Sequence, residues 1–239
     1  MTSPVGPRGE RLVVASRITR HDVLAIVALG VLYYLAARIG LRLAVIEDNI
    51  TPLWPPTGLA LVAFLRYGRR LWPGVAVAAF LVNLPITNFP AALITAAGNT
   101  LAPMLAAWLL ERVGFRQQID RVRDVAALVV LGALLSMTVS ATIGTAALEL
   151  SSATPLEGFW TAWSAWWAGD AMGILVVAPF LLCVLTWREV EPKLGWRRLP
   201  EALALLVLLV TASVFAMWNT GQLLFLIPPL LAWIAWRFQ

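Results

Sequence analysis

The stretch WSAWWAGDAMGILVVAPFLL, residues 163–182, decides the fold class of this chain. It belongs to a longer apolar run, Phe159–Trp187, in which Asp170 is the one charged residue. About 18–20 consecutive apolar residues in a helix span the hydrocarbon core of a bilayer. A carboxylate at that depth costs several kcal/mol unless another group compensates its charge. The stretch therefore predicts a transmembrane helix whose Asp170 needs a partner elsewhere in the chain.

Apolar runs recur along the rest of the sequence. Of its 239 residues, 60% are hydrophobic and only 13% are charged, whereas about a quarter of the residues of a soluble domain are charged. The chain is therefore predicted to be all-α, a polytopic transmembrane helical bundle. We expect about eight spanning helices, at residues 22–45, 56–67, 71–83, 90–112, 124–148, 158–187, 200–218 and 222–236. The second and third are short, and we expect them to form a tight helical hairpin around RYGRRLWPG.

Lysine and arginine are confined to alternate connections between these helices. They occur in the N-terminal segment and in the connections around Arg69, Arg116 and Arg197, whereas EDNITPLWPP, NLPITNFP, LSSATPLEG and NTG contain none. Cytoplasmic loops are enriched in basic residues. Both termini are therefore predicted to be cytoplasmic, with residues 1–21 preceding an integral membrane domain at 22–239. All 18 basic residues follow this pattern except Arg38 and Arg42, so the net charge indicates topology and contact with anionic lipid, not nucleic-acid binding.

Motifs of catalytic and metal sites are missing from the sequence. The chain has a single cysteine, Cys183, and a single histidine, His21. An internal disulfide, a cysteine metal cluster and a haem or zinc site within the bilayer are therefore not expected. There is no Gly-rich phosphate loop, no Ser-His-Asp set and no pair of carboxylates at catalytic spacing. We expect neither enzymatic activity nor a bound metal or cofactor in this chain.

Asp170 is predicted to face the interior of the bundle. It lies about twelve residues into its helix, which at 1.5 Å per residue is near the middle of the bilayer. Trp163 and Trp166 recur with it at helical spacing. A row of small residues allows another helix to approach closely; here it consists of Ala165, Gly169 and Gly173.

Arg38 is the candidate counter-ion for Asp170. Arg38 and Arg42 are one helical turn apart in the outer half of the first helix, and Arg38 lies nearer the level of Asp170. Arg42 can extend to the outer headgroups. We predict an ion pair between Asp170 and Arg38, direct or bridged by a ligand or water, because a buried guanidinium keeps its charge and needs an anion. The alternatives are a protonated Asp170 that donates a hydrogen bond and an Asp170 that binds something absent from this chain.

Three further segments contribute candidates for a ligand pocket. In AAGNTLAP, Pro103 leaves the Asn99 carbonyl without its helical partner, so Asn99 marks either a simple kink with an interhelical hydrogen bond or a kink that opens a cavity. In TPLWPPTG, Thr57 can cap the helix that follows Trp54. Trp166 and Trp167 are too deep for an interfacial belt and are expected to line a cavity or pack in a core. The pocket candidates are therefore Arg38, Trp54, Thr57, Asn99, Trp166, Trp167 and Asp170.

Five blocks resemble the first type of MASE domain, a bacterial membrane-associated sensor domain. They are PLWPPTGLALVAFLRYGRRLWPGVAVAAFLVNL, ALITAAGNTLAPMLAAWLL, DRVRDV, SATIGTAALEL and WSAWWAGDAMGILVVAPFLL, and the likeness covers about residues 33–239. The positions in the matching motifs are Trp54, Pro55, Pro56, Thr57, Gly58, Asn99, Trp166, Trp167, Gly169, Asp170 and Pro179. The resemblance implies an input module followed by a histidine kinase, a diguanylate cyclase or a cyclic-di-GMP phosphodiesterase. No such output domain follows here, so we expect a stand-alone sensor, a remnant or a fragment of a longer protein.

The favoured function is that of a sensor in the bacterial inner membrane. A ligand or a membrane state would change helix packing, and the change would reach a cytoplasmic output of the two-component or cyclic-di-GMP type. A small permease gated by Asp170 and Arg38 is an alternative, although the sequence shows no internal repeat of the transporter kind. A structural scaffold is the third reading. The expected partners are the bilayer, an unidentified small ligand, a cytoplasmic output domain or protein and, as an open alternative, a second copy of the chain.

Overall fold

The computed structural model describes residues 19–42, 53–151 and 158–186, together with Pro200, Glu201 and Ala204. All regular secondary structure in these residues is helical. The six main helices are α1 (Arg20–Arg42), α2 (Pro55–Tyr67), α3 (Trp72–Asn83), α4 (Phe89–Arg112), α5 (Val122–Ser151) and α6 (Phe159–Thr186). Their residue ranges agree with those of the first six predicted helices to within a few residues, and they confirm the all-α class for the described residues.

Four of these helices, α1, α4, α5 and α6, are long and apolar enough to cross a membrane. The two spans expected at 200–218 and 222–236 lie almost wholly outside the described residues, so the total of eight and the sides of the termini stay predictions. The chain divides into two compact units after Val184. Everything described below lies in the first unit, Met1–Val184.

Helix α2 is short and central. Its 13 residues extend about 20 Å at 1.5 Å per residue, less than the ~30 Å of a bilayer core. Eight consecutive or near-consecutive residues between Pro56 and Phe64 are buried, around the full circumference of the helix. It packs against α1, α4 and the middle of α6. A tight turn at Gly68, whose φ of 93° suits glycine, and a short 3₁₀ segment at Arg69–Leu71 lead into α3. The short connection agrees with the prediction. The predicted tight hairpin is wrong, because α3 packs against α1 and α4 and not against α2.

Glycine pairs set the closest helix crossings. Gly30 of α1 faces Gly74 of α3, where an added Cβ would collide with the Ile26 carbonyl oxygen. Gly58 of α2 faces Gly173 of α6, and a Cβ on either one would collide with backbone of the other segment. Such small residues allow backbones in a membrane to approach closely. The small row predicted on α6 therefore does pack against another helix, which is α2.

Two helices contain wider, π-helical turns. In α5 the π-helical segment is Leu128–Leu135, and in α6 it is Gly173–Val177. The second lies directly before Pro179, which has no N–H for the carbonyl four residues earlier. A π-helical turn is one way in which a helix accommodates such an interruption, and these turns often occur at functional sites.

The basic residues in the described connections lie together at one end of the bundle. Arg70 contacts Asp22 at 3.1 Å, where Thr19 and Asp22 form a reciprocal cap on α1. In the connection from α4 to α5, Arg121 binds the buried Asp124 through two hydrogen bonds of 2.8 and 3.1 Å. These bonds to Asp124 raise the pKa of the Arg121 guanidinium. We call this the arginine-rich end; Leu41, Asn83, Thr87 and Leu148 lie towards the opposite end.

Candidate ligand site at Asp170

Asp170 of α6 is buried, with 1% of its surface exposed, and hydroxyl groups from two other helices answer its carboxylate. The Thr57 hydroxyl of α2 donates to Oδ1 at 2.6 Å, and the Ser140 hydroxyl of α5 donates to Oδ2 at 2.6 Å. Short hydrogen bonds of this kind are typical of a hydroxyl donating to a carboxylate. The buried Asp170 carboxylate of α6 is thus hydrogen-bonded to both α2 and α5.

Besides the Thr57 hydroxyl, the first turn of α2 supplies the positive end of its helix dipole to this carboxylate. Trp54 is the N-cap residue, and Pro55 and Pro56 occupy the first two helical positions, where the missing N–H groups leave nothing unsatisfied. A helix N-terminus also carries partial positive charge, which stabilises an adjacent anion. Thr57 does not cap α2, contrary to expectation, because its side chain is bonded to Asp170 instead.

The predicted direct ion pair between Asp170 and Arg38 is wrong. Arg38 is exposed on α1, and the two carboxylate oxygens of Asp170 accept from Thr57 and Ser140. The buried face of α1 at this level carries Tyr33, Ala37 and Gly40. The prediction failed because it compared depth along the helix and not the direction in which each side chain points. Arg38 therefore does not belong to the polar cluster.

Asn99 extends the cluster onto α4. The Ser140 hydroxyl oxygen lies 3.0 Å from Asn99 Oδ1 as well as 2.6 Å from Asp170. A hydroxyl has one proton to donate, so both contacts are satisfied when the Asn99 amide is turned to donate its NH₂ to Ser140. Thr57, Asn99, Ser140 and Asp170 come from four different helices. We call these four residues the Asp170 cluster.

A cavity of about 50 Å³ opens beside the cluster. Asn99 and Asp170 lie at its polar side, and Trp54 and Trp166 form aromatic walls. The remaining lining residues lie towards the end opposite the arginine-rich end: Leu41, Val82, Asn83, Ile86, Thr87, Leu148 and Gly169. Asn99, Trp166 and Asp170 were expected from sequence to face one interior space, and the structure places them there. Their role as ligand contacts stays a prediction.

Trp54 and Trp166 are held in place by backbone contacts. The Trp54 N–H donates to the Gly169 carbonyl of α6 at 2.9 Å. The Trp166 ring packs directly on Gly144 of α5, where no Cβ could be accommodated. The positions of the two indole rings therefore depend on how closely α2 and α5 approach α6.

Trp167 lies away from the cavity. Its indole N–H donates to the Leu134 carbonyl in the π-helical segment of α5 at 2.9 Å. The Trp163 indole stacks on it, with ring centroids 6.1 Å apart, and donates to Thr142 at 3.0 Å. These two indoles tie α6 to α5. Of the predicted pocket residues, Trp54, Asn99, Trp166 and Asp170 line the cavity, Thr57 supports Asp170, and Arg38 and Trp167 lie elsewhere.

Sequence reasoning missed Ser140 and Tyr33. Tyr33 of α1 is fully buried near the Trp54 indole and within the field of Asp170, and its hydroxyl has no hydrogen-bond partner among the described residues. Two more buried hydroxyls in that part of the chain, on Thr95 and Thr145, also have none. Ser140 begins the block SATIGTAALEL, but a serine in an apolar helix has no distinctive local pattern. Its partners on two other helices, Asn99 and Asp170, give it its role.

Comparisons with known proteins point to one family. The MASE1 family model matches residues 25–239, nearly the whole chain. The probable diguanylate cyclase DgcE of Escherichia coli strain K12 is 36% identical over 64 residues, which are 27% of this chain and 6% of that protein. No solved structure matches the chain.

Proposed function

The chain belongs to the MASE1 family of membrane sensor domains, and from that premise we propose that a small ligand binds beside Asp170 and alters helix packing for a cytoplasmic output. The membrane character is supported independently by the four long apolar helices. The family is a sensory and not a catalytic one, in agreement with the absence of catalytic motifs from the sequence.

The observation that carries the proposal is the position of the Asp170 cluster between the cavity and α2. A ligand that binds the Asp170 carboxylate draws its negative charge away from the hydrogen bonds with Thr57 and Ser140, and it so weakens the contacts that hold α2 and α5 to α6. Since α2 is buried on all sides and only 13 residues long, a change at its first turn is a change in the core of the bundle. Packed helices respond by shifting between discrete arrangements.

The other end of α2 contacts the arginine-rich end directly. Gln117, in the connection from α4 to α5, donates to the Leu65 carbonyl at 2.8 Å, and Arg66 donates to Gln117 at 3.4 Å. The α2 helix thus links Asp170, bonded at Thr57, to Gln117, bonded at Leu65, across about 12 Å. We propose α2 as the element that transmits the signal.

The positive-inside rule assigns the arginine-rich end to the cytoplasm and the cavity mouth to the outer side. Such an arrangement suits a multi-pass protein of the bacterial inner membrane that samples the exterior and reports inward. The proposed output is a cyclic-di-GMP enzyme, as in the relative named as a diguanylate cyclase, or a histidine kinase. This chain spans only 6% of that relative's length, and a second copy of the chain or a separate protein would be alternative routes for the signal.

A fusion of the full chain to a diguanylate cyclase domain tests this function. Cyclic-di-GMP production in membranes is compared for the parent, Asp170→Asn and Thr57→Val. We expect both variants to change production at least threefold, with Asp120→Asn, an exposed residue at the arginine-rich end, as the matched control. Equal production by all four proteins at equal membrane abundance would refute the sensor proposal. Flux of solute into proteoliposomes that depends on Asp170 would favour the permease instead.

A further inference from the structure

We infer that the cavity beside Asp170 selects a small organic cation, a protonated amine of about four non-hydrogen atoms. The inference rests on the proposed function, since it assigns a ligand class to the same site. The charges around the cavity favour a cation. Asp170 is the sole ionisable side chain among the described residues that line the cavity. The arginines of α1 nearest this level, Arg38 and Arg42, are exposed and do not line it.

The carboxylate has capacity left for a cationic donor. An ionised carboxylate offers about four lone-pair positions. Thr57 and Ser140 each use one, and the Trp166 indole N–H is directed at the same carboxylate. An ammonium group has three donors and no acceptor. It can bond the remaining position on Asp170, with the Asn99 side-chain oxygen as a further acceptor when the amide is turned towards the cavity. An anionic ligand would meet like charge beside the buried Asp170 carboxylate, which is unfavourable.

The aromatic walls add a second criterion. Trp54 and Trp166 both line the cavity, and indole is the best of the aromatic side chains at attracting a cation over its face. A neutral molecule of the same shape gains nothing from that attraction. One carboxylate between two indoles is therefore chemistry that distinguishes an amine from an alcohol or an acid.

The size of the cavity limits the length of the ligand. The cavity volume of about 50 Å³ is enough for roughly four water molecules, since each needs about 10–15 Å³ of cavity volume. Ethanolamine, with four non-hydrogen atoms, is of that size, whereas choline is considerably larger. Asn83 and Thr87 also line the cavity, and their side-chain oxygens can accept a hydrogen bond from the hydroxyl end of such a molecule while its ammonium end meets Asp170.

Binding to the full chain in lipid nanodiscs tests the ligand class. At pH 7.5 and constant potassium concentration, ethanolamine is compared with ethylene glycol, glycolate, choline and sodium chloride by equilibrium binding and thermal unfolding. We expect saturable binding and stabilisation by ethanolamine, and at least tenfold weaker effects from the other four. These comparisons use the unaltered protein, so they do not depend on whether a variant folds. Equal effects of ethylene glycol or sodium would overturn the amine assignment.

Variants then locate the site. Asp170→Asn and Trp166→Leu should each weaken ethanolamine binding at least tenfold, whereas Asp120→Asn should bind like the parent. Unchanged binding by a folded Asp170→Asn variant would place the amine elsewhere and overturn the inference. The cyclase fusion separates the two proposals: if Thr57→Val changes output but ethanolamine does not bind, only the ligand class fails. If ethanolamine binds and no variant changes output, only the sensor function fails.

Discussion

Thr57 and Asp170 are joined by a 2.6 Å hydrogen bond although 113 positions separate them in the sequence. The bond places the buried carboxylate of α6 at the first turn of α2, where a hydroxyl and the positive end of the helix dipole both stabilise negative charge. No arginine is needed to explain how Asp170 is tolerated among apolar residues.

Thr57→Val should destabilise the protein by about 1–3 kcal/mol. The change keeps the side-chain shape and removes one donor from a buried carboxylate, which leaves an acceptor unsatisfied. Thr57→Ser keeps the hydroxyl and should lose less than half as much. Unfolding in mixed micelles by titration with a denaturing detergent measures the difference. Equal losses for Val and Ser would mean that packing of the methyl group, and not the hydrogen bond, is what matters.

Asp170→Asn should couple to Thr57→Val and not to Arg38→Gln. Contacting residues show interaction energies of roughly 0.5–3 kcal/mol in double-mutant cycles, whereas distant pairs are additive. Because Arg38 is exposed and Asp170 is bonded to Thr57, the cycle with Thr57 should be non-additive and the cycle with Arg38 additive within ~0.5 kcal/mol. Thermal and detergent unfolding of both cycles provides the measurement. Strong coupling between Asp170 and Arg38 would instead support an ion pair bridged by a ligand or water.

Gly58→Ala should be strongly destabilising, by at least about 2–3 kcal/mol, as overpacking against a rigid neighbour is. The new Cβ would collide with the Gly173 carbonyl oxygen, with Val177 Cβ and with the Ala178 backbone nitrogen, all of α6. Gly132→Ala is the matched control: its Cβ would meet only side-chain ends, the nearest being Leu128 Cδ1 at 3.3 Å. Gly132→Ala should be close to neutral, since alanine has the higher helix propensity. Similar behaviour of the two variants would argue against a tight crossing of α2 and α6.

Gln117→Ala should separate ligand binding from output. It removes the contact with the Leu65 carbonyl at the end of α2, far from the cavity. We expect ethanolamine affinity within twofold of the parent and a cyclase-fusion output that responds at least threefold less to ligand. Asp120→Asn, in the same connection, should preserve both properties. An unaltered response of Gln117→Ala would mean that the signal leaves the bundle by another helix.

Cysteine labelling tests the topology on which the direction of signalling depends. In a Cys183→Ala background, Pro85→Cys and Asp120→Cys place single thiols at exposed positions near opposite ends of the bundle. The positive-inside rule predicts that an impermeant maleimide labels Pro85→Cys in intact spheroplasts and Asp120→Cys only after lysis. The reverse labelling pattern would show that the protein has the opposite orientation in the membrane, with the cavity mouth on the cytoplasmic side.

The helices themselves follow from local sequence. Apolar length predicts a spanning helix because a bilayer cannot satisfy exposed backbone groups. The arginines of the α2–α3 and α4–α5 connections mark one end of the bundle for a similarly local reason, since charge avoids the hydrocarbon core. The residue ranges of the first six predicted helices accordingly agree with α1 to α6 within a few residues, and four of the six are long and apolar enough to cross a membrane. The family resemblance, read from blocks such as WPPTG and WWAGD, is confirmed over residues 25–239.

The partner of Asp170 was decided by tertiary structure alone. The sequence required some compensating group, because an isolated buried charge is unstable, and it located Asp170, Asn99 and Trp166 as members of one interior space. It could not choose between Arg38 and two ordinary hydroxyls. Thr57 and Ser140 lie 113 and 30 positions away from Asp170, and neither has a local pattern that marks it as a donor. The glycine crossing of Gly58 with Gly173 brings the start of α2 against α6, and that three-dimensional approach, which depends on all the packed helices together, determines which side chain reaches the carboxylate.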